Sequence, residues 1–306
     1  MPSTYTTAAI PDLTGRVFVV TGGNTGIGYE TVLQLTKKNA TVIMASRSED
    51  RAKAAIAKIE KESGITGKIE FLRLVLNDLK QVSSASTELL SRHEKIDVLI
   101  NNAGIMAGPF ALSADGIEDQ FATNHVGHFL LTKKLIPALL KGNEPRIVNL
   151  SSSYHAKAPL PEGIRFDKIN DTKSMNNWER YGQSKLSNVL FTKQLNKLYG
   201  DKIVVNSVHP GFVDTELTRG VVQNTGSWFK PIMDLVKKVV ALTPQDGALT
   251  SLYAATSPDV GKDRFYWPIA KDSTDTETIP LGKDEALAQR LWDFTEALIL
   301  EKIGAV

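Results

Sequence analysis

The sequence contains no cysteine among its 306 residues. Disulfide bonds, thiol nucleophiles and thiolate metal sites are therefore excluded, and the absence fits a reducing compartment. No run approaches the ~20 apolar residues that a membrane-spanning helix needs, and residues 1–14 lack the basic and apolar regions of a signal peptide. We therefore expect a cytoplasmic protein without an integral membrane segment.

Strong charge of either sign is also missing, because 36 basic and 34 acidic residues give a formal net charge of +2. So small an excess does not favour nucleic acid as a partner. Internal repeats and low-complexity segments are absent as well. Hydrophobic residues make up 42% of the chain and charged residues 23%, which is typical of a soluble globular protein with a buried core.

Seven short runs rich in β-branched residues predict strands. They are nearly continuous in apolar residues, as in parallel strands that helices cover on both faces. The runs are Arg16–Thr21, Thr41–Ala45, Ile69–Leu74, Asp97–Ile100, Arg146–Leu150, Ile203–Val208 and Arg264–Trp267.

Helical patterns alternate with these runs: Ile27–Lys37, Asp50–Lys61, Lys80–Arg92, Gly116–Leu140, Tyr181–Leu198, Pro244–Ala255 and Asp284–Ile303. This alternation predicts an α/β fold with a three-layer, doubly wound parallel sheet of the Rossmann type. We expect about seven strands in the order 3-2-1-4-5-6-7.

We expect one dinucleotide-binding and catalytic domain over residues 1–306, interrupted by two irregular stretches. The first is an insertion at 159–180 and the second a substrate lid at 217–243. In a doubly wound sheet ligands bind beyond the carboxyl ends of the strands, so both stretches are candidate substrate walls. Apolar side chains in the second suggest a bulky hydrophobic substrate, although core packing or a membrane-resting surface would use the same residues: Trp228, Phe229, Ile232, Met233 and Leu242.

A glycine-rich segment follows the first strand and reads Thr-Gly-Gly-Asn-Thr-Gly-Ile-Gly from Thr21 to Gly28. Glycine allows tight turns and a close approach of the backbone to a pyrophosphate, and a helix N-terminus offers free N–H groups. An ordinary tight turn is the alternative. The position at the first strand-to-helix junction favours a dinucleotide, and no Gly-Lys-Ser/Thr follows that would make it a P-loop.

Tyr181 and Lys185 are four residues apart, so on a helix they lie on one face. A tyrosine has a pKa of ~10, and a nearby ammonium favours the phenolate, which predicts a lowered pKa for Tyr181. By itself this spacing most often belongs to an ordinary helix.

Five motifs in order carry a family resemblance: the glycine-rich segment, Asn101-Asn102-Ala103-Gly104, Asn124 within Asn-His-Val-Gly-His, Ser151-Ser152, and Tyr181-Gly-Gln-Ser-Lys185, after which comes His209-Pro-Gly. The chain resembles the short-chain dehydrogenases/reductases from about Leu13 onward, and its long 159–180 insertion is most similar to the retinol-dehydrogenase-like branch. The resemblance implies an oxidoreductase that interconverts a hydroxyl and a carbonyl group of a small molecule.

The resemblance also implies the site residues. Tyr181 would be the acid/base, Lys185 its electrostatic partner and a ligand of the nicotinamide ribose, Ser152 the donor to the substrate oxygen, and Asn124 the residue that kinks its helix and holds a water. Ser151 and Ser153 are rivals of Ser152. Cofactor contacts are implied for Gly22, Asn24, Thr25, Gly26, Ile27, Gly28, Arg47, Asn102, Ala103, Gly104, Tyr181, Lys185, Val213 and Thr215.

Arg47 favours NADP(H) as the cofactor. The second strand ends at the point where a dinucleotide-binding fold contacts the adenosine ribose, and Ser46 stands where an acidic residue would favour NAD. Arg47 can pair with a 2′-phosphate. The alternative is an exposed arginine that faces Glu49 and Asp50.

The chain departs from the family after the third strand, where relatives often read Leu-Asp-Leu and this chain has Val75. Valine cannot accept a hydrogen bond from the adenine amine. Three alternatives remain open. Asp78 or Asn77 accepts this hydrogen bond instead, backbone atoms accept it, or the cofactor is held less tightly.

We expect His125, His128 and His209 to have packing roles, whereas we expect His155 to border the substrate cavity. The resemblance implies a homodimer or homotetramer formed through the Asn124 and Tyr181 helices. Two rival functions are a scaffold or nucleotide sensor without catalysis and a sugar-nucleotide epimerase. The retained Asn124, Ser152, Tyr181 and Lys185 argue against the first, and the glycine spacing argues against the second.

Overall fold

The computed structural model describes residues 5–213 and 242–305. One sheet runs through the molecule, with the strand order β3-β2-β1-β4-β5-β6-β7-β8. The strands are β1 Val17–Thr21, β2 Thr41–Ser46, β3 Ile69–Arg73, β4 Val98–Asn101, β5 Arg146–Leu150, β6 Val204–Val208, β7 Phe265–Trp267 and β8 Lys271–Asp272.

The first seven strands are parallel to their neighbours and follow the predicted order. β8 adds an eighth, antiparallel strand at the edge beside β7. It has only two residues, both exposed, so the sequence has no apolar run there to indicate it.

Helices cover both faces of the sheet: α1 Gly26–Lys37, α2 Glu49–Ser63, α3 Leu79–Arg92, α4 Asp119–Phe121, α5 Gly127–Leu139, α6 Asn177–Tyr199, α7 Pro244–Thr256 and α8 Glu285–Ile303. Two apolar cores result. Residues of α1, α2 and α7 pack on one face of the sheet, and residues of α3, α5, α6 and α8 form the core on the other. The three-layer doubly wound prediction is therefore confirmed.

The predicted helix Gly116–Leu140 is interrupted. A π-helical turn, Ala122–Val126, joins α4 to α5 and contains Asn124. Such single π turns occur often at functional sites.

α6 begins earlier than the sequence periodicity predicts. Asn176 caps the helix, its side chain accepting from the backbone of Trp178 and Glu179 at 2.9 and 3.0 Å, while Glu179 accepts from the Asn176 backbone at 2.8 Å. This capping box satisfies free N–H groups of the first turn and fixes the start of the helix.

Arg180 organises the predicted insertion at 159–180. Its side chain is 1% exposed, and its guanidinium donates to the carbonyls of Ile169, Asp171 and Met175 at 3.3, 2.8 and 2.9 Å. Buried carbonyl groups need such partners. The insertion is thereby tied to the first turn of α6, one residue before Tyr181.

α8 packs across α5 and α6. The Trp292 ring lies 4.7 Å from that of Phe129 and 6.0 Å from that of Phe191. His125 Nε2 lies 3.1 Å from Thr295 Oγ1, and because that hydroxyl donates to the Leu291 carbonyl it accepts from His125. The two helices predicted to form a subunit interface thus contact a helix of the same chain.

Within residues 5–213 and 242–305, no helix combines the length and apolar character needed to cross a membrane. Residues 217–241 of the predicted lid lie outside the described residues.

Candidate functional site

A cleft of about 280 Å³ runs along the carboxyl ends of the strands. Its walls come from the segments after β1, β2, β3, β4 and β5, from α4 and the π turn, and from α6. Among the residues predicted to bind a cofactor, the cleft is lined by Gly22, Asn24, Thr25, Gly26, Ile27, Gly28, Arg47, Asn102, Ala103, Gly104, Tyr181 and Lys185.

The glycine-rich turn forms the middle of this cleft. Gly22 and Gly26 have φ angles of +66° and +54°, a region that side chains disfavour. A Cβ on Gly28 would overlap the carbonyl oxygen of Gly22 and lie 2.7 Å from Asn102 Nδ2. Since α1 begins at Gly26, its free N–H groups face the same space, and this cradle fits a pyrophosphate.

Thr21 joins the glycine-rich turn to the segment after β4. Its hydroxyl oxygen accepts from the backbone N–H groups of Asn102 and Ala103, both at 2.9 Å, and Asn102 Nδ2 donates to its carbonyl at 2.7 Å. The Thr21 hydroxyl also lies 2.9 Å from His128 Nε2. Two of the predicted cofactor-binding motifs are thus held as one unit.

His128 connects that unit to the π turn. Its Nδ1 lies 3.1 Å from the carbonyl of Asn124, so Nδ1 carries the proton and Nε2 accepts from Thr21. Burial lowers the pKa of His128 to about 4, which keeps the ring neutral and this assignment fixed at neutral pH. The sequence predicted only a packing role for His128.

Asn124 is fully buried. Its Oδ1 accepts from the backbone of Ile105 at 2.8 Å, and its Nδ2 donates to the Ile105 carbonyl and to Ser184 Oγ at 3.0 and 2.9 Å. The side chain therefore fastens the segment after β4 to the π turn and α6. It does not line the cleft itself.

Ser151 and Ser152, which follow β5, differ in what their hydroxyl groups do. Ser151 borders the cleft, but its hydroxyl donates to the Lys185 carbonyl at 2.8 Å. The Ser152 side chain accepts from the backbone of Tyr154 at 3.2 Å and lies close enough to the Tyr181 phenol to lower its pKa. Ser152 therefore lies beside the Tyr181 phenol, but it does not line the cleft.

Tyr181 and Lys185 lie at one end of the cleft, on α6. Lys185 Nζ is 5.7 Å from the centre of the Tyr181 ring and donates to the Leu150 carbonyl at 3.1 Å. Burial lowers the pKa of Lys185 to about 8.

The pKa of Tyr181 moves in the direction opposite to the one the sequence predicts. Burial raises it to about 12, the Ser152 hydroxyl partly opposes this, and the nearby Tyr154 adds to the rise. Desolvation of the phenolate is the largest cause, and Lys185 is not among the groups that shift this pKa. In the chain alone, Tyr181 is a protonated phenol at neutral pH.

Aromatic rings flank Tyr181 on the side of Ser152. The Tyr154 ring is 5.8 Å from the Tyr181 ring and stacks on Trp178 at 4.9 Å. Neither Tyr154 nor Trp178 lines the cleft. The sequence motifs did not indicate these two residues, because their positions fall between the motifs.

At the opposite end of the cleft, Ser46, Arg47 and Ser48 follow β2 and line the wall together with Arg51. Arg47 is exposed. Arg51 lies in the first turn of α2 and lines this wall as well. The sequence motifs did not indicate it, because it belongs to none of them.

The end of β3 supplies the adjoining wall, from Leu74 to Asn77. Asp78, one of the two predicted substitutes for the acidic residue missing at Val75, is occupied elsewhere. Its side chain caps α3 by accepting from Gln81 N at 3.0 Å, and it does not line the cleft. Asn77 does line the cleft, beside Asp119 of α4.

Val213 is buried and forms an isolated parallel bridge with Leu242, but it does not line the cleft. Thr215, the other predicted contact of the nicotinamide amide, lies outside the described residues. So do the apolar lid residues Trp228, Phe229, Ile232 and Met233.

His155 does not border a substrate cavity, contrary to the prediction. It is fully buried, its Nδ1 lies 2.7 Å from the Ser152 carbonyl, and its Nε2 accepts from Ile279 N at 3.4 Å. The ring also packs edge-on against Phe265. His155 therefore holds the backbone at Ser152 in place.

The described residues contain no cluster of histidine and acidic side chains that could hold a metal ion.

Comparisons with known proteins agree with this arrangement. A profile of the short chain dehydrogenase family matches residues 16–165. Short-chain dehydrogenase/reductase drtF from Aspergillus calidoustus is 38% identical over 94% of this chain and 95% of its own length. Mouse retinol dehydrogenase 14 is 37% identical over 93% of this chain and 86% of its own length.

Among solved structures, an uncharacterized protein from Mycobacterium paratuberculosis superposes with a TM-score of 0.77 at 31% identity, covering 99% of this chain and all of the other. Similarity that spans nearly the whole of both chains covers the fold, the glycine-rich turn and the Tyr181–Lys185 helix together. The chain belongs to the short-chain dehydrogenase/reductase family and is an oxidoreductase of that family.

Proposed function

We propose that the chain is an NADP(H)-dependent oxidoreductase that interconverts a hydroxyl and a carbonyl group on a hydrophobic small molecule, with Tyr181 as the acid/base. The observation that carries this proposal is that Tyr181 and Lys185 line one end of a cleft whose middle is the glycine-rich turn, with Ser152 beside Tyr181.

Ser152 and Tyr181 would act together on the substrate oxygen. The Ser152 hydroxyl lies beside the Tyr181 phenol and lowers its pKa, and a substrate oxygen between the two hydroxyl groups would contact both. Ser152 stabilises the negative charge that develops on a carbonyl oxygen during reduction, and Tyr181 donates the proton. Lys185 would help to hold a nicotinamide dinucleotide at this end of the cleft, and such a cofactor would supply or accept the hydride.

The protonation state of Tyr181 suits the reductive direction. A phenol whose pKa is raised to about 12 carries its proton at neutral pH and can deliver it to an alkoxide, which is a stronger base. Oxidation needs the phenolate, and a positive oxidised nicotinamide beside the phenol would favour that form. Lys185, buried and with no ion-pair partner among the described residues, is suited to hold ribose hydroxyl groups.

NADP(H) is supported by the β2 end of the cleft. Ser46 offers no carboxylate to a ribose hydroxyl, while Arg47 is exposed and lines the same wall. Guanidinium groups bind phosphate through paired hydrogen bonds.

A hydrophobic substrate is supported by the aromatic pair beside Tyr181. The stacked rings of Tyr154 and Trp178 lie beside Tyr181 and would offer apolar surface to a substrate that reaches it. One relative is by name a dehydrogenase of retinol, an apolar alcohol. We place the enzyme in the cytoplasm, in keeping with the absence of cysteine.

The proposal also treats residues 1–306 as one domain, because a single sheet carries both cores. The proposal does not include the subunit contact through α5 and α6 that the family resemblance implies. α8 of the same chain covers that face, and we propose that it takes the place of a second subunit there.

The test is a screen of aldehydes, ketones, quinones and alcohols in which the absorbance of the reduced nicotinamide is followed, run on wild type, Tyr181→Phe and Tyr199→Phe. Tyr199 ends the same helix far from the cleft and serves as the matched control. We expect Tyr181→Phe to lower kcat by about 100-fold or more with unchanged NADPH affinity in a binding titration. Equal turnover by Tyr181→Phe and Tyr199→Phe would refute the acid/base assignment.

A further inference from the structure

Asn77 and Asp119 form a polar pair in the wall of the cleft, 42 positions apart in sequence. Asn77 Nδ2 donates to Asp119 Oδ1 at 2.7 Å, and both residues line the cleft. A carboxylate only accepts hydrogen bonds, so the amide must turn its nitrogen toward Asp119. Asn77 Oδ1 and Asp119 Oδ2 are left without a hydrogen-bond partner among the described residues.

Other polar groups near the end of β3 are already in use. Gln81 Oε1 accepts from Val75 N at 2.5 Å, and its Nε2 donates to the Arg73 carbonyl at 2.8 Å. Asp115 accepts from Leu79 N at 2.9 Å, and Asp78 caps α3. Asn77 and Asp119 are therefore the side chains at this wall that retain acceptor atoms for a ligand.

The order of the strands assigns this wall to one end of a bound dinucleotide. Tyr181 and Lys185 lie beyond β5, the glycine cradle follows β1, and Arg47 follows β2, with β3 outermost. A dinucleotide with its nicotinamide at Lys185 and its pyrophosphate on the cradle extends its adenosine toward β2 and β3. Asn77 and Asp119 then lie at the adenine end.

We propose that Asn77 and Asp119 together accept the two hydrogens of the adenine amine, replacing the acceptor that Val75 cannot provide. This inference rests on the proposed function, because it requires a dinucleotide in the cleft. The pair also selects the base. A purine with an amine at this position donates to both acceptors, whereas hypoxanthine presents a carbonyl oxygen there, which the Asp119 carboxylate repels.

The experiment compares the dissociation constants of NADPH and its hypoxanthine analogue, measured by titration calorimetry without substrate. We expect wild type to bind the adenine form about 10-fold or more tightly, as loss of a hydrogen bond to a charged group implies. Asp119→Asn can turn its amide nitrogen toward a carbonyl oxygen, so its preference for adenine should fall several-fold or reverse. Asn77→Ala should reduce the preference as well.

Asp115→Asn is the matched control. Asp115 lies four residues from Asp119 and contacts the backbone of Leu79 outside the cleft, so its substitution should leave the ratio of the two dissociation constants unchanged. Thermal melting of each variant verifies that it is folded. An equal ratio in wild type and Asp119→Asn would overturn this inference alone. Failure of wild type to bind either dinucleotide would overturn the proposed function and this inference with it.

Discussion

Lys185 Nζ lies 5.7 Å from the centre of the Tyr181 ring, and burial shifts the pKa values of the two side chains in opposite directions. The pKa of Lys185 is lowered to about 8 and the pKa of Tyr181 is raised to about 12. Both shifts disfavour the charged form, because each group has lost its water. A site that holds two desolvated groups together is maintained at a cost in stability, as catalytic sites often are.

Lys185→Met should therefore stabilise the chain at neutral pH. The unfolded chain keeps the lysine proton up to 10.5, whereas the folded chain releases it at about 8, so the free energy of unfolding of wild type rises with pH between these values. The difference between the two pKa values corresponds to about 3 kcal/mol. We expect the free energy of unfolding of Lys185→Met to exceed that of wild type by up to this amount at pH 7. The difference should close toward pH 10, and urea unfolding at both pH values measures it.

The exposed lysine of the same helix, Lys197, provides the control, since Lys197→Met should show no such pH dependence. Measurements should stop at pH 10, because above it the raised pKa of Tyr181 makes the folded chain lose stability as pH rises. A constant difference between Lys185→Met and wild type from pH 7 to pH 10 would show that the lysine proton is not the cause.

Arg47 determines the cofactor preference in the proposed function. Arg47→Ala should weaken NADPH binding by about 10- to 100-fold, the range for a lost hydrogen-bonded charge pair, and leave NADH binding within about two-fold. Fluorescence titration with both dinucleotides measures this. Arg73→Ala removes a guanidinium that does not line the cleft and should change neither constant. Tighter binding of NADH than NADPH by wild type would contradict the assignment.

The sequence predicted most of the sheet because parallel strands buried on both faces need continuous apolar runs. β1, β4 and β5 are each fully buried, and each begins within one residue of the predicted start. Helix ends were less accurate. The start of α6 depends on the Asn176–Glu179 capping box, a signal present in the sequence that apolar periodicity does not contain.

Contacts between distant positions were not predictable in this way. Asn77 and Asp119 meet only because α4 packs beside the end of β3, and the Tyr154–Trp178 stack forms only once the insertion is folded. The pKa of Tyr181 was predicted in the wrong direction, because spacing on a helix gives the position of a charge but not the water removed from around it. His155 was misassigned for a related reason, since a histidine that follows a site motif can equally be buried beneath it.

The sequence predicts the helix α8 but not the surface on which it packs, since an amphipathic helix can cover its own chain or another. Its contacts with α5 and α6 are aromatic and buried, with Trp292 7% exposed against Phe129 and Phe191, and Lys133 pairs with Glu296 at the rim. We expect wild type to sediment as a monomer of 33.5 kDa at micromolar concentrations. A wild-type dimer in that range would contradict this prediction.

Trp292→Ala tests how strongly α8 is held. Removing a buried tryptophan should lower the free energy of unfolding by about 3–5 kcal/mol, and the loosened helix should uncover apolar surface of α5 and α6. Sedimentation velocity should then detect association that increases with concentration. Leu300→Ala, on the same helix at a side chain 58% exposed, should stay monomeric and within about 0.5 kcal/mol of wild type. If both variants behave alike, the aromatic contact does not anchor α8, and the reason for a monomer must lie outside this face.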